Sequence, residues 1–119
     1  MSNVTVYGLD KCDTCKKAKK WLDRHAVTYQ FIDYRAQPTT PAMLKQWADA
    51  VGGFEKLVNR SGTTWRNLLP TRKNPGSDAE WNLLIRENPA LVRRPVVVLA
   101  DGTVSLGFSD VLFGKLFGI

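Results

Sequence analysis

Residues 3–34, NVTVYGLDKCDTCKKAKKWLDRHAVTYQFIDY, decide the fold. Residues 3 to 7 are short, alternating and rich in β-branched side chains, which predicts a strand. From residue 13 to 25 the period changes: Cys15, Ala18, Trp21 and Leu22 fall on one helical face and lysines occupy the other. Residues 28 to 34, TYQFIDY, alternate again and predict a second strand. Strand, helix and strand in immediate succession imply a parallel pair joined by a right-handed crossover.

Cys12 and Cys15 are the only cysteines of the 119-residue chain. Their spacing puts both sulfurs at a helix N-terminus, where unpaired backbone N–H groups and the macrodipole favour a thiolate. That predicts a redox or nucleophilic site. No charged segment leads into an apolar one as in a signal peptide, and no run approaches the ~20 apolar residues that span a bilayer. The expected location is therefore the cytoplasm, with no membrane partner, and a lone cysteine pair there is more often catalytic than a structural staple. A zinc site needs four ligands, and the single histidine, His25, lies far down the helix, so no metal is expected. Two inert packing cysteines are the bland alternative, against which the charged surroundings argue.

Seventeen basic residues against eleven acidic ones give a net charge of +6. Lys11, Lys16, Lys17, Lys19, Lys20 and Arg24 lie in or beside the first helix. A solvated helix face is the ordinary explanation of such a cluster, and without a nucleic-acid motif no direct nucleic-acid contact is expected. Here the cluster also raises the positive potential around Cys12 and draws in small anions, which makes Lys11, next to Cys12, a candidate substrate-binding group.

Length and composition fit one soluble globular domain, 1–119. After QPTT, Thr40 is a cap candidate and Pro41 the first position of a helix to about residue 51, stopped by Gly52 and Gly53. Short helical pieces are predicted near 54 to 58 and 63 to 69, then a helix after Ser77 with Trp81, Leu84 and Ile85 as its buried stripe. Residues 39–88 thus read as a helical insertion between core segments at about 1–38 and 89–119. In the last segment Val96 to Leu99 form an apolar run, and Asp101-Gly102 signals a two-residue hairpin returning through Val104 to Leu106. Ser109 is the cap candidate of a final helix to Phe117, with Val111, Leu112, Leu116 and Phe117 available for the core. The order predicts an α/β, thioredoxin-like fold with an inserted helical lobe.

YGLDKCDTCKKAKKWL, LVNRSGTTWRNL, VRRPVVV and LGFSD occur in the order in which the ArsC/Spx family carries such motifs, and the chain resembles that family over essentially its whole length, its YffB-type branch most. The resemblance implies a site assembled from Cys12, Arg60 and Arg94. Guanidinium groups lower a neighbouring thiol's pKa and offer forked donors to a carboxylate or oxyanion. Composition alone does not select these two arginines; Arg93 and Arg66 are weaker candidates. The resemblance also implies a cis bond before Pro95, opposite the cysteine helix, leaving backbone groups for an extended thiol or peptide, whereas most X-Pro bonds are trans.

Two departures bear on activity. Arsenate reductases of this family carry a further arginine where this chain has Gly107 and Phe108, and a histidine where it has Gly8, so the oxyanion shell is depleted. Cys15 can resolve a mixed disulfide on Cys12 in a two-thiol cycle that needs no bound cofactor. A Cys-x-x-Cys pair also occurs in Spx, the family member that binds RNA polymerase and responds to oxidation. The expected function is a thiol–disulfide reductase with glutathione or a similar small thiol or disulfide as co-substrate. The alternatives are a Spx-like redox-sensing regulator in contact with RNA polymerase, or an arsenate reductase.

Overall fold

The computed structural model describes residues 4–119, so residue 3 of the first predicted strand lies outside the described residues. They form two compact units, one of the residues up to Gln37 together with Arg94–Ile119, the other Pro38–Arg93.

The first unit holds a four-stranded sheet. Strand β1 (Val4–Gly8) leads into helix α1 (Asp13–Arg24), which returns the chain to β2 (Tyr29–Asp33), parallel to β1. On the other side β1 pairs antiparallel with β3 (Val96–Val98), and β3 with β4 (Val104–Leu106), giving the order β2-β1-β3-β4. This mixed sheet with its βαβ start and terminal ββα is a thioredoxin-like fold. The α1 stripe is the predicted one, Cys15, Ala18, Trp21 and Leu22 all being buried. Val4, Val6, Ala18, Trp21, Leu22, Val97 and Phe113 form the core of this unit. Phe113, from the last helix α6 (Asp110–Phe117), meets the Trp21 ring edge-on at 5.4 Å.

The second unit is helical: α2 (Pro41–Val51), α3 (Phe54–Leu57), α4 (Thr63–Arg66) and α5 (Asp78–Glu87), with one β-bridge between Val58 and Val92. The Thr40 side chain accepts from the Met43 N–H at 3.2 Å and the Ser77 side chain from the Glu80 N–H at 3.2 Å, so both predicted caps hold. Gly52 ends α2 in the left-handed conformation. Trp81 stacks on Phe54 at 5.8 Å and on Trp65 at 6.1 Å, building an aromatic centre from three helices.

Three local expectations need correction. The piece predicted over 63 to 69 ends at Arg66, because the chain turns there into a short 3-10 segment, Pro70–Arg72. Asp101 and Gly102 are not the two central residues of a two-residue turn. Leu99 N–H donates to Thr103 O (2.9 Å) and Gly102 N–H to Leu99 O (3.0 Å), so Ala100, Asp101 and Gly102 form a three-residue loop closed by Gly102 at φ 89°. In α6 the expected Leu112, Leu116 and Phe117 do pack against the core, but Val111 is 68% exposed and the fully buried residue is Phe113. Among the described residues no helix is long and apolar enough to cross a membrane.

Candidate active site

The loop between β1 and α1 is tied from two sides. Cys12 N–H donates to Leu9 O (3.2 Å), which turns the loop, and Tyr34 N–H donates to Gly8 O (3.1 Å), which anchors its base to the end of β2. The Asp33 carboxylate accepts from the N–H groups of Asp10 (3.0 Å), Arg35 (2.8 Å) and Ala36 (3.3 Å). Burial opposes charge on Asp33, but these three donors outweigh it and hold its pKa below the ordinary value.

Cys12 occupies the N-cap of α1 in an extended conformation and is half-buried. Its side chain closes no capping bond of ordinary geometry, yet as a thiolate it is faced by several donors. Burial pushes its pKa up; the Cys15 N–H, the Cys15 thiol, the Arg94 guanidinium and the Thr14 N–H together prevail and bring it below the ordinary thiol value. Cys15 is the opposite case. Fully buried, its thiol is pushed up to about 11, first by burial and then by the hydrogen bond and charge of Cys12, against the Leu9 N–H and Arg94, which lower it. One helix start thus carries two unequal thiols, Cys12 with its pKa lowered and Cys15 with its pKa raised.

Gly8 makes room for this pair: a β-carbon there would stand 2.5 Å from Cys15 Sγ. Arg94 is half-buried and within hydrogen-bonding reach of both Cys12 and the Tyr34 hydroxyl. Burial disfavours its charge, and the negative forms of Tyr34 and Cys12 more than offset that. Tyr34 is itself buried, and burial drives its pKa upward despite Arg94. Pro95 is buried, follows a cis bond from Arg94, and its carbonyl accepts from Gly107 N–H at 2.9 Å.

Among the predicted residues, Cys12, Cys15 and Arg94 are therefore brought together, with Cys12 between the other two in its interactions. Lys11 is exposed on the turn directly before Cys12. Arg60 belongs to the second unit, exposed on the turn after Val58. Arg93 is engaged inside that unit, donating from Nε to Lys56 O (3.0 Å), and Arg66 donates to Thr63 Oγ1 (3.2 Å). On α1, Lys16, Lys17, Lys20 and Arg24 are exposed, while Lys19 lies over the Phe31 ring at 4.1 Å. Among the described residues no group of three or more His, Cys, Asp or Glu is placed to hold a metal. Sequence reasoning missed Asp33 and Tyr34. Their signal was positional: a polar pair closing a parallel strand, at the carboxyl end where α/β folds gather their sites.

The ArsC family matches residues 7–115 of the chain. An uncharacterized protein of Haemophilus influenzae is 40% identical over 107 residues, covering 90% of this chain and 92% of that one. The global transcriptional regulator Spx of Streptococcus mutans is 28% identical over 108 residues, covering 90% of this chain and 77% of its own. Among solved structures, a YffB protein superposes with a TM-score of 0.84 at 35% identity, covering 95% of this chain and 97% of its own. The chain belongs to the ArsC family.

Proposed function

We propose that the protein is a glutathione-using thiol–disulfide reductase in which Cys12 attacks and Cys15 resolves. The observation that carries this reading is the unequal pair at the start of α1, Cys12 with its pKa lowered and Cys15 with its pKa raised to about 11. The Cys12 thiolate attacks one sulfur of a substrate disulfide, forming a Cys12–substrate disulfide and releasing the other half as a thiolate that takes up a proton. Once Cys12 is bonded, its charge and its hydrogen bond no longer hold the Cys15 proton in place. Cys15 then loses that proton and attacks Cys12 Sγ, expelling the second substrate thiolate and leaving a Cys12–Cys15 disulfide. Two glutathione molecules restore the dithiol and leave as oxidised glutathione, so two electrons are balanced. The first step thus activates the second.

Arg94, beside Cys12, is suited to a glutathione carboxylate as well as to the thiolate, and Lys11 adds charge at the mouth of the site. In this reading Pro95 lends its neighbouring backbone to the peptide, and Arg60 binds a carboxylate, the latter role resting on the LVNRSGTTWRNL motif. The arsenate alternative is disfavoured by Gly8, whose side-chain volume is occupied by Cys15 Sγ. The likeness to Spx favours one second reading, a redox-responsive partner of RNA polymerase in the cytoplasm.

The test is mass spectrometry of Cys12 after exposure to oxidised glutathione and, separately, to arsenate, with turnover recorded in each. The expected result is a Cys12–glutathione disulfide that accumulates in Cys15→Ser, is absent in Cys12→Ser, and little arsenate turnover. Robust arsenate reduction, or no adduct together with co-purification of RNA polymerase, would overturn the proposal in favour of the corresponding alternative.

A further inference from the structure

We infer that Tyr34 is a positioning residue of this site, its buried hydroxyl holding the Arg94 guanidinium against Cys12. The inference rests on the reading of Cys12 as the attacking thiolate. Tyr34 is only 3% exposed, and its backbone N–H is bonded to Gly8 O at 3.1 Å, directly after the Asp33 carboxylate that clamps Asp10. The ring is therefore fixed to the same loop that presents Cys12. Arg94 is within hydrogen-bonding reach of both the Tyr34 oxygen and the Cys12 sulfur. A long side chain with two such partners has less freedom to lose when it stabilises a thiolate.

The choice of a phenol has a physical reason. A carboxylate in this place would also fix the guanidinium, but it would neutralise its charge and withdraw that charge from Cys12. Burial keeps the Tyr34 hydroxyl protonated through the range in which Cys12 titrates, so it accepts a hydrogen bond without adding a negative charge. Cys15, Arg94 and the Thr14 N–H face Cys12, and Arg94, Cys15 and Cys12 are among the groups that act on Tyr34. Arg94 is a cation common to both, so it can carry an effect of Tyr34 to Cys12.

The experiment is the pH profile of Cys12 alkylation, read peptide by peptide by mass spectrometry, in the full chain and in Tyr34→Phe, Arg94→Ala and the double variant. Loss of the hydroxyl alone is expected to move the Cys12 midpoint up by about half a pH unit in the otherwise unchanged protein. In the Arg94→Ala background the same substitution is expected to add no shift. An unchanged profile in Tyr34→Phe, or an equal shift in both backgrounds, overturns the inference. Should Tyr34→Phe fail to fold, the Tyr34 Cζ resonance of the unsubstituted protein is followed by 13C NMR. It is expected to track the titration of Cys12, and to track it less in Arg94→Ala, where only the direct field of Cys12 is left; a response of equal size in the two proteins, or none, overturns the inference as well. A Cys12 midpoint at the ordinary thiol value in the unsubstituted protein would instead defeat the nucleophile reading, and the role of Tyr34 with it.

Discussion

Gly8 and Cys15 divide one small volume between them. The nearest atoms to a β-carbon at Gly8 would be Cys15 Sγ at 2.5 Å and Phe31 Cε1 at 3.3 Å, so space rather than backbone conformation requires glycine. Gly8→Ala is expected to destabilise the fold by roughly 1–3 kcal/mol, the usual cost of overpacking. In a Cys15→Ala background most of that loss should vanish; equal losses in both backgrounds, by urea denaturation, would show the two residues to be independent. Cys15 also gives the reduced protein a pH dependence. Its thiol titrates at about 11 in the fold against an ordinary 9.0, so the unfolded chain releases that proton first as pH rises. Its contribution is complete below pH 9 and is lost as pH climbs through about 11. Stability of the reduced protein should therefore fall across this window more steeply than that of Cys15→Ala, and parallel curves would contradict the raised thiol.

Helices were the legible elements, because each carried its own punctuation. Thr40-Pro41 and Gly52-Gly53 bracket α2, Ser77 opens α5, and the α1 stripe needed only the 3.6-residue period. The hairpin turn and, in the last helix, Val111 and Phe113 were misread for a shared reason: local signals do not fix register. Asp-Gly fits a two-residue turn, but it fits equally the end of a three-residue loop, and the ladder pairing Val98 with Val104 selects the latter. In α6 the apolar residues surround most of the helix, so the period cannot tell Val111 from Phe113; contact with Trp21 and Phe108 decides. Phe113→Ala is expected to cost about 3–5 kcal/mol, as for other buried aromatics, whereas Val111→Ala should stay within about 0.5 kcal/mol. Comparable losses for the two in thermal or chemical denaturation would place the core on the wrong face of α6.

Across the whole molecule, the two halves of the sheet could be anticipated from their simple connections, the parallel pair β1-β2 and the hairpin β3-β4, whereas the pairing of β1 with β3 that joins them could not. The site was legible in part. The cysteines announce themselves by spacing, but Arg94 reaches Cys12 only through the pairing of β3 with β1, and Tyr34 only through the pairing of β1 with β2. The first of these pairings is not written in a local pattern; the second is the parallel pair that the β-α-β start implied, and nothing local marked the part of Tyr34 in it. The net charge of +6, by contrast, is a property of the chain as a whole, with the exposed Lys11, Lys16, Lys17, Lys20 and Arg24 clustered in or beside the helix that Cys12 opens. Such a field accelerates encounters with anions and is screened once the Debye length shrinks to about 10 Å near 0.1 M salt. Oxidised glutathione is anionic at neutral pH, whereas bis(2-hydroxyethyl) disulfide is uncharged and presents a disulfide of the same kind. The rate of Cys12 mixed-disulfide formation with glutathione disulfide should therefore fall as salt rises, and the rate with the neutral disulfide should hardly change. Replacing Lys11, Lys16, Lys17 and Lys20 by glutamine should flatten the first dependence and leave the second as it was. Stopped-flow measurement at two ionic strengths decides the point: equal salt slopes for the two disulfides would mean that the basic helix is a solvated surface with no part in capturing substrate.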